Sequence, residues 1–217
     1  MKSYEEFKAT VYANIVSYKE QNITKECGNY KGIEYKEFLP ENYWERELPA
    51  MLYSGINATV SEIQKSIYKY KPHIFANKHV ASSQTACVNL FVPIMESPEV
   101  DQILMSLEAC PKDFKHVAKD QLYHGYRFEF WDSVDEKSKG LLGDHSKQAG
   151  TDSDVAIAYY NTKDELCLWL IEHKLTEQEF TTCGAYKSKG NNEEGKKHCR
   201  KCSIVEILDN PNLCYYH

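Results

Sequence analysis

Apolar residues recur at helical spacing in the first third of the chain, in two separate sets. The first set is Phe7, Val11, Ile15 and Tyr18. The second set is Ile56, Val60, Ile63 and Ile67. Each set falls on one stripe of an amphipathic helix, which predicts a helix over residues 3–21 and another near residue 60. Residues 22–50 carry several glycines and prolines and are predicted to be loop with short pieces of structure. We therefore expect an N-terminal helical region over residues 1–78.

Two further helices are predicted in the middle of the chain. The segment SSQTACVNLFVPI, residues 82–94, begins with serines that can cap a helix and stays apolar until Pro93, where we expect the helix to stop. Ser97 and Pro98 then begin a helix that carries three apolar residues. These residues are Val100, Leu104 and Leu107. We expect both helices to pack on a sheet.

The hydrophobic pattern changes from helical to alternating at Tyr126. The run YRFEFWD alternates and is rich in aromatic residues, as strands are. Two more β runs follow, DVAIAYY at residues 154–160 and LCLWLIEHK at residues 166–174, separated by the turn-forming residues 161–165. These two runs predict a β-hairpin, and the chain as a whole is predicted to be α/β.

The hairpin turn fixes which residues face each other. If the turn is centred near Lys163, Ala156 lies opposite Leu170 and Asp154 lies opposite Glu172. Like charges that face each other across a sheet destabilise it and raise one pKa, so a chain that keeps such a pair usually places a cation between the two acids. We therefore expect a divalent metal ion at this end of the hairpin.

The residues around this acid pair could complete a catalytic centre. Side chains alternate along a strand, so Lys174 shares a face with Glu172, and Asp152 joins them if pairing continues. Oxygen ligands from Asp154 and Glu172, with the backbone carbonyl of His173, suit Mg²⁺ or Mn²⁺. Lys174 could orient or deprotonate a water for in-line attack on phosphorus while the metal stabilises the developing charge. This chemistry is phosphodiester hydrolysis.

At these residues the sequence resembles the PD-(D/E)XK nuclease superfamily, whose signature is an Asp at the start of one strand and Glu-X-Lys at the end of the next. Here the signature stands as Asp154, then 17 intervening residues, then Glu172-His173-Lys174. The likeness extends over residues 79–217 to a branch of restriction endonucleases, on SSQTACVNLF, YRFEFW, LLGDH and a Cys-rich end. The sequence departs from the signature in having no Pro before the Asp.

The resemblance implies a restriction-endonuclease-like core, with a central mixed β-sheet flanked by helices, over residues 79–182. It also implies that Glu129 is an additional acid near the metal and that Gln84 is a polar group on the packing helix. It implies a Mg²⁺-dependent enzyme that cuts DNA, of the restriction or defence type. Enzymes that cut both strands commonly dimerise, so a homodimer is expected.

Four cysteines crowd into the end of the chain, a Cys-rich segment at residues 183–217 expected to pack on the core. They are Cys183, Cys199, Cys202 and Cys214. The C-x₂-C turn formed by Cys199 and Cys202 is typical of a tetrahedral Zn²⁺ site, and His198 or His217 could replace one thiolate. A 4Fe-4S cluster is the alternative, because some exonucleases of the resembled superfamily hold one with three late cysteines and an early one, here Cys27. The other cysteines, Cys87, Cys110 and Cys167, are predicted to be small core residues.

Composition narrows the function further. The net charge of −6 argues against a binder that relies on overall positive charge, although residues 183–202 hold six basic and two acidic side chains and could face phosphates. No run approaches the roughly 18 apolar residues of a membrane span, and the N-terminus lacks a signal-like segment. We therefore expect a soluble, cytoplasmic protein without a membrane partner.

Three alternatives to a nuclease stay open at this point. Asp154, Glu172 and Lys174 could be exposed edge-strand residues that form an ordinary salt bridge. The chain could be a catalytically inactive nucleic-acid-binding or interaction module that retains a structural zinc site. It could also be a Cys/His hydrolase, although no cysteine lies in a recognisable nucleophile context. The presence of all three of Asp154, Glu172 and Lys174 favours the nuclease.

Overall fold

The computed structural model describes residues 3–65, 77–130, 153–176 and 203–210. The chain divides into two compact units. The first unit consists of Met1–Phe130 and Ser153–Gln178, and the second consists of Trp131–Asp152 and Glu179–His217. In the described ranges, no helix is both long enough and apolar enough to cross a membrane.

The described residues form helices, strands and short 3₁₀ turns. The helices are α1 (Tyr4–Asn22), α2 (Asn57–Lys65), α3 (Ser83–Met95), α4 (Val100–Met105) and α5 (Ile204–Asp209). The strands are β1 (Gly28–Tyr30), β2 (Ile33–Tyr35), β3 (Phe114–Val117), β4 (Tyr126–Phe130), β5 (Ser153–Asn161) and β6 (Leu166–Ile171). The 3₁₀ turns lie at Glu41–Tyr43 and Ser54–Ile56. All of these elements except α5 belong to the first unit.

Helix α1 is present as predicted, but its apolar stripe is only partly buried: Val11 and Ile15 are half-buried, and the two ends of the stripe are exposed. Phe7 and Tyr18 are each 49% exposed, whereas Lys19 is 1% exposed. The Lys19 ammonium donates to the backbone carbonyls of Glu26 and Lys36, both at 2.7 Å. Burial lowers the pKa of Lys19. A hydrophobicity pattern cannot anticipate this face, because a long lysine side chain can be buried once its charged end finds acceptors.

The main sheet is built around β5. Strand β6 pairs along one edge of β5, while β3 and β4 pair with the two halves of its other edge. All of these described pairings are antiparallel, so the predicted mixed sheet is wrong for the strands that the structure describes. A tight turn joins β5 to β6, and a short loop joins β3 to β4. Neither connection is the crossover that a parallel pair of strands requires.

Strand β3 was not predicted from the sequence pattern. It lies along the same edge of β5 as β4, with a gap between the two strands. Ala118 N–H donates to the Ala158 carbonyl at 2.9 Å, and Ala158 N–H donates to the Gly125 carbonyl at 2.8 Å, so β5 keeps its hydrogen bonds on both sides of the gap. Gly125 has a φ of 96°, and a Cβ there would lie 2.3 Å from Val117 Cγ1. Only glycine fits where the loop closes back on β3.

Helix α3 covers the core side of the sheet. Ser82 caps it by accepting a hydrogen bond from Thr85 N–H at 3.2 Å. The helix runs through Pro93 to Met95, so the predicted stop at Pro93 is wrong. Proline this close to the C-terminus removes one helical hydrogen bond, while the last turn still buries Val92 and Met95 in the core.

Helices α3 and α4 both contribute to the hydrophobic core that lies against the sheet, as predicted. The core includes Val100 and Leu104 of α4 and Val155 and Ile157 of β5. Leu107 follows α4 rather than lying in it. Because one face of β5 is held by these helices, the position of its first residues is set by the packed core.

Candidate active site

The β5–β6 hairpin has the register that the sequence predicts. Ala156 lies opposite Leu170, and Val155 lies opposite Ile171. One further step in the same register places Asp154 opposite Glu172. Strand β6 ends at Ile171, so the prediction that it continues to Lys174 is wrong. The three residues of the Glu-X-Lys motif, 172–174, form an irregular extension of the strand.

One contact joins this extension to β5, and another lies within the extension. Asp154 Oδ2 accepts a hydrogen bond from the backbone N–H of His173 at 2.7 Å. Lys174 Nζ forms an ion pair with Glu172 Oε1. Asp154 is partly buried, whereas Glu172 and Lys174 are exposed. The structure therefore brings Asp154, Glu172 and Lys174 to one end of the hairpin, with the acid–amine pair open to solvent.

The partly buried carboxyl of Asp154 is not fully compensated. Burial is the largest effect and raises the pKa of Asp154; the His173 N–H lowers it, Glu172 raises it and Lys174 lowers it, with a net increase. Desolvation disfavours the charged form, and a neighbouring carboxylate adds to that cost. A carboxyl with a raised pKa beside a second acid is a common property of functional sites.

Glu129 and Gln84 join the same region from β4 and α3. In the register of β4 against β5, the residues on either side of Glu129 pair with the residues on either side of Asp154. Glu129 therefore lies at the level of Asp154. Glu129 has a φ of 49°, in the left-handed region that a glutamate rarely adopts. Gln84 Nε2 donates to Glu129 Oε1 at 2.8 Å. Helix α3 therefore fixes the carboxylate of a residue whose backbone departs from the regular strand.

The pKa of the buried Cys87 thiol, on α3, is affected by all three acids. Burial is the main reason that the pKa of Cys87 is raised, and the charges of Asp154, Glu129 and Glu172 raise it further, in that order. All three carboxylates therefore contribute to the electrostatic environment of this buried thiol.

Comparison with known proteins identifies the family of this chain. A family model described as Restriction Endonuclease associating with ARP, REase-ARP, matches residues 11–212. The chain belongs to the REase-ARP family. No curated protein and no solved structure matches the chain. Membership of REase-ARP, a restriction endonuclease family, implies a nuclease and suggests that its substrate is DNA.

Two carboxylates of this REase-ARP chain, Asp154 and Glu172, are the predicted side-chain ligands of the divalent metal. In the part of the chain that the structure describes, no group of three or more His, Cys, Asp or Glu side chains is arranged to hold a metal ion. A Mg²⁺ site does not need three, because Mg²⁺ is usually held by one or two carboxylates together with waters and substrate phosphates. The hard oxygens of Asp154 and Glu172 fit this requirement.

The predicted zinc or iron–sulfur site of the REase-ARP chain lies outside the described residues. This applies to Cys183, Cys199, Cys202 and Cys214, to His198 and His217, and to Asp152 of the extended acid cluster. Among the described cysteines, Cys27 is exposed and Cys87 lies in the core, while Cys110 and Cys167 are partly buried against it. The cysteine site therefore stays a prediction.

For His173 of this REase-ARP chain, the sequence analysis predicted that the backbone carbonyl is a metal ligand. The structure shows that its backbone N–H bonds to Asp154, so the residue also orients the first acid. The X position of a Glu-X-Lys motif gives no hint of this, because the bond involves the backbone. The signal that could have found it is the register itself, which brings the two ends of the hairpin together.

Proposed function

We propose that this chain is a divalent-metal-dependent endonuclease that hydrolyses phosphodiester bonds of DNA, with its active centre at the open end of the β5–β6 hairpin. The observation that carries the proposal is the antiparallel register of β5 and β6, which, continued by one step beyond Val155 and Ile171, sets Asp154 opposite Glu172. Lys174 forms an ion pair with Glu172. The raised pKa of Asp154 supports it, because a nearby cation would relieve the unfavourable charge. The proposal places the chain in the PD-(D/E)XK superfamily.

In this proposal, Asp154, Glu172 and the backbone carbonyl of His173 hold Mg²⁺ or Mn²⁺. The ion would supply Lewis-acid stabilisation of the charge that develops on the transferred phosphate. The His173 N–H engages Asp154 Oδ2, and the other carboxylate oxygen would be available as a metal ligand. Lys174 Nζ, held beside Glu172, orients the attacking water or accepts its proton when neutral.

Glu129 and Gln84 have supporting roles in this proposal. Glu129 adds negative charge to the region of the ion, and the Gln84 amide fixes one of its oxygens at 2.8 Å. The left-handed backbone of Glu129 costs on the order of 1–3 kcal/mol, and such conformations are concentrated at functional sites. Helix α3 thereby holds the third acid in place.

Cleavage of supercoiled plasmid in Mg²⁺, with and without EDTA, tests the proposal. Wild-type protein should nick or linearise the plasmid only with metal, and Lys174→Ala should lower the rate about 10²–10⁴-fold. Lys163→Ala, in the turn at the other end of the hairpin, is the matched control and should keep the wild-type rate. Plasmid that is bound but left intact would instead favour the inactive binding module.

We further propose that the four late cysteines bind one Zn²⁺ and that the active enzyme is a homodimer. The spacing of Cys199 and Cys202 supports the zinc site. Metal analysis of the purified protein distinguishes zinc from iron, and Cys202→Ser should lower the metal content. Light scattering of the same sample gives the oligomeric state, and a monomer that linearises plasmid would contradict the dimer.

A further inference from the structure

The extension that carries Lys174 is fixed by a second element, helix α1. Residues 172–174 have no regular secondary structure. One hydrogen bond, from His173 N–H to Asp154 Oδ2, holds the start of this extension at 2.7 Å. Another, from the Tyr4 hydroxyl to the Thr176 carbonyl at 2.6 Å, holds the chain two residues beyond the extension. Lys174 lies between these two bonds.

The helix that carries Tyr4 is stabilised at both of its ends. Ser3 and Glu6 form a capping box: Glu6 N–H donates to Ser3 Oγ at 3.3 Å, and Ser3 N–H donates to Glu6 Oε2 at 2.8 Å. At the other end of the helix, the buried Lys19 is bonded to backbone carbonyls of the first unit. These contacts stabilise the helix that presents the Tyr4 hydroxyl to the Thr176 carbonyl.

The acceptor side of this contact is also well defined. Thr176 is 7% exposed, so its carbonyl lies in a region where an unmade hydrogen bond is costly. Only two residues separate His173 from Thr176. Because one residue spans at most about 3.6 Å, fixing both ends leaves the backbone of Lys174 little freedom.

We propose that Tyr4 is a positioning residue for Lys174, so that the N-terminal helix helps to build the active centre. This inference rests on the proposed function, since it concerns the same lysine. Tyr4 precedes residues 11–212, which match the family model, and neither the Glu-X-Lys signature nor the family match assigns it a role. Tyr4 acts through the backbone and contacts neither substrate nor metal in this proposal.

The test compares Tyr4→Phe with Tyr18→Phe. Both remove one hydroxyl from α1, but Tyr18 is 49% exposed and serves as the matched control. Tyr4→Phe should lower kcat for plasmid cleavage about tenfold and leave KM for DNA within about twofold, because a displaced catalytic group affects the chemical step more than binding. Tyr18→Phe should match the wild type in both.

A double variant separates positioning from a general structural role. In a Lys174→Ala background, measured in single-turnover reactions, Tyr4→Phe should cause no further loss, because the group that it positions is gone. An equal fold-loss in both backgrounds would overturn the proposal. So would wild-type kcat in Tyr4→Phe.

Hydrogen exchange gives a readout that does not depend on cleavage. The backbone amides of residues 173–176 should exchange about tenfold faster in Tyr4→Phe than in the wild type or in Tyr18→Phe. Unchanged exchange would overturn the role of Tyr4 even if cleavage is observed. Faster exchange in a protein that does not cut DNA would instead show that the proposed function has failed while Tyr4 still fixes the extension.

Discussion

The two ends of the β5–β6 hairpin both carry acidic residues, but the pKa of an aspartate is shifted in opposite directions at the two ends. At the turn, Asn161 is 4% exposed and its amide binds the Glu165 carboxylate at 2.8 Å, while Asp164 is paired with Lys115 at 2.6 Å. The hydrogen bond and charge of Lys115 lower the pKa of Asp164. At the open end, burial raises the pKa of Asp154. The carboxyl of Asp164 is therefore stabilised in its charged form by its partner, whereas that of Asp154 is not fully compensated.

Under the proposed function, this contrast separates acids that only stabilise the fold from acids that bind a ligand. An acid that only stabilises a fold is placed where partners favour its charged form, as at the turn. An acid kept beside a second carboxylate, and partly removed from water, costs stability unless something binds there. The comparison therefore points to the open end as the place where a ligand completes the structure.

The largest effect should come from making the same substitution at both ends. Asp154→Asn should lower the rate of plasmid cleavage in Mg²⁺ about 10²–10⁴-fold, because a neutral amide is a poor ligand for a hard cation. Asp164→Asn should cleave at the wild-type rate. Asparagine tolerates the left-handed backbone of Asp164, whose φ is 61°, so this control should fold normally.

Equal loss of activity in both variants would remove the distinction between the two ends. It would mean that the charge of the hairpin as a whole, rather than a site at its open end, supports cleavage. Melting curves of both variants would show whether unfolding accounts for the loss.

A second substitution tests the structural end. Asn161 Oδ1 accepts hydrogen bonds from Lys163 N–H and Glu165 N–H, both at 2.9 Å, and its amide donates to Glu165. Asn161→Ala leaves these groups without their partner and should lower the free energy of unfolding by about 1–3 kcal/mol. Urea denaturation measures this loss. Below the melting temperature, kcat should stay at the wild-type value, and a large fall would show that the two ends are coupled.

Much of the fold follows from local pattern. Helix α1, the capped start of α3 and the β5–β6 hairpin each have a periodicity or a turn that sequence reasoning can recognise. Strand β3 could not be predicted, because its four residues form a strand only by pairing with β5. The antiparallel order of the sheet depends on partner choice between distant segments, which no short window contains.

The candidate site divides along the same line. Asp154, Glu172 and Lys174 were predictable because one tight turn fixes their register. The left-handed conformation of Glu129 could not be predicted, because nothing in the sequence YRFEFW indicates it. The end of β6 before Glu172 could not be predicted either. The bond between Tyr4 and Thr176 joins residues 172 positions apart and leaves no pattern in the sequence.

A smaller effect concerns the stability cost of Asp154. Because its folded-state pKa is raised, the folded protein binds more protons than the unfolded chain between the two pKa values, and stability falls as the pH rises through that range. Asp154→Asn should therefore be slightly more stable than the wild type at neutral pH. The difference should disappear below the ordinary Asp pKa of about 3.9. Thermal melts in metal-free buffer across this range would measure it, and a variant less stable at pH 7 would contradict the assignment.

The smallest effect should come from Lys115→Ala at the turn. The Lys115–Asp164 pair is solvent-exposed, so water and salt screen it, and the melting temperature should not change measurably. Its contribution is present above the ordinary Asp pKa and is lost as the pH falls, because Lys115 lowers the folded-state pKa of Asp164. In an NMR titration of the side-chain carboxyls, Lys115→Ala should move the pKa of Asp164 up toward its ordinary range and leave that of Asp154 in place. A shift at Asp154 would show that the ends of the hairpin share one electrostatic environment, and the contrast between them would no longer identify the site.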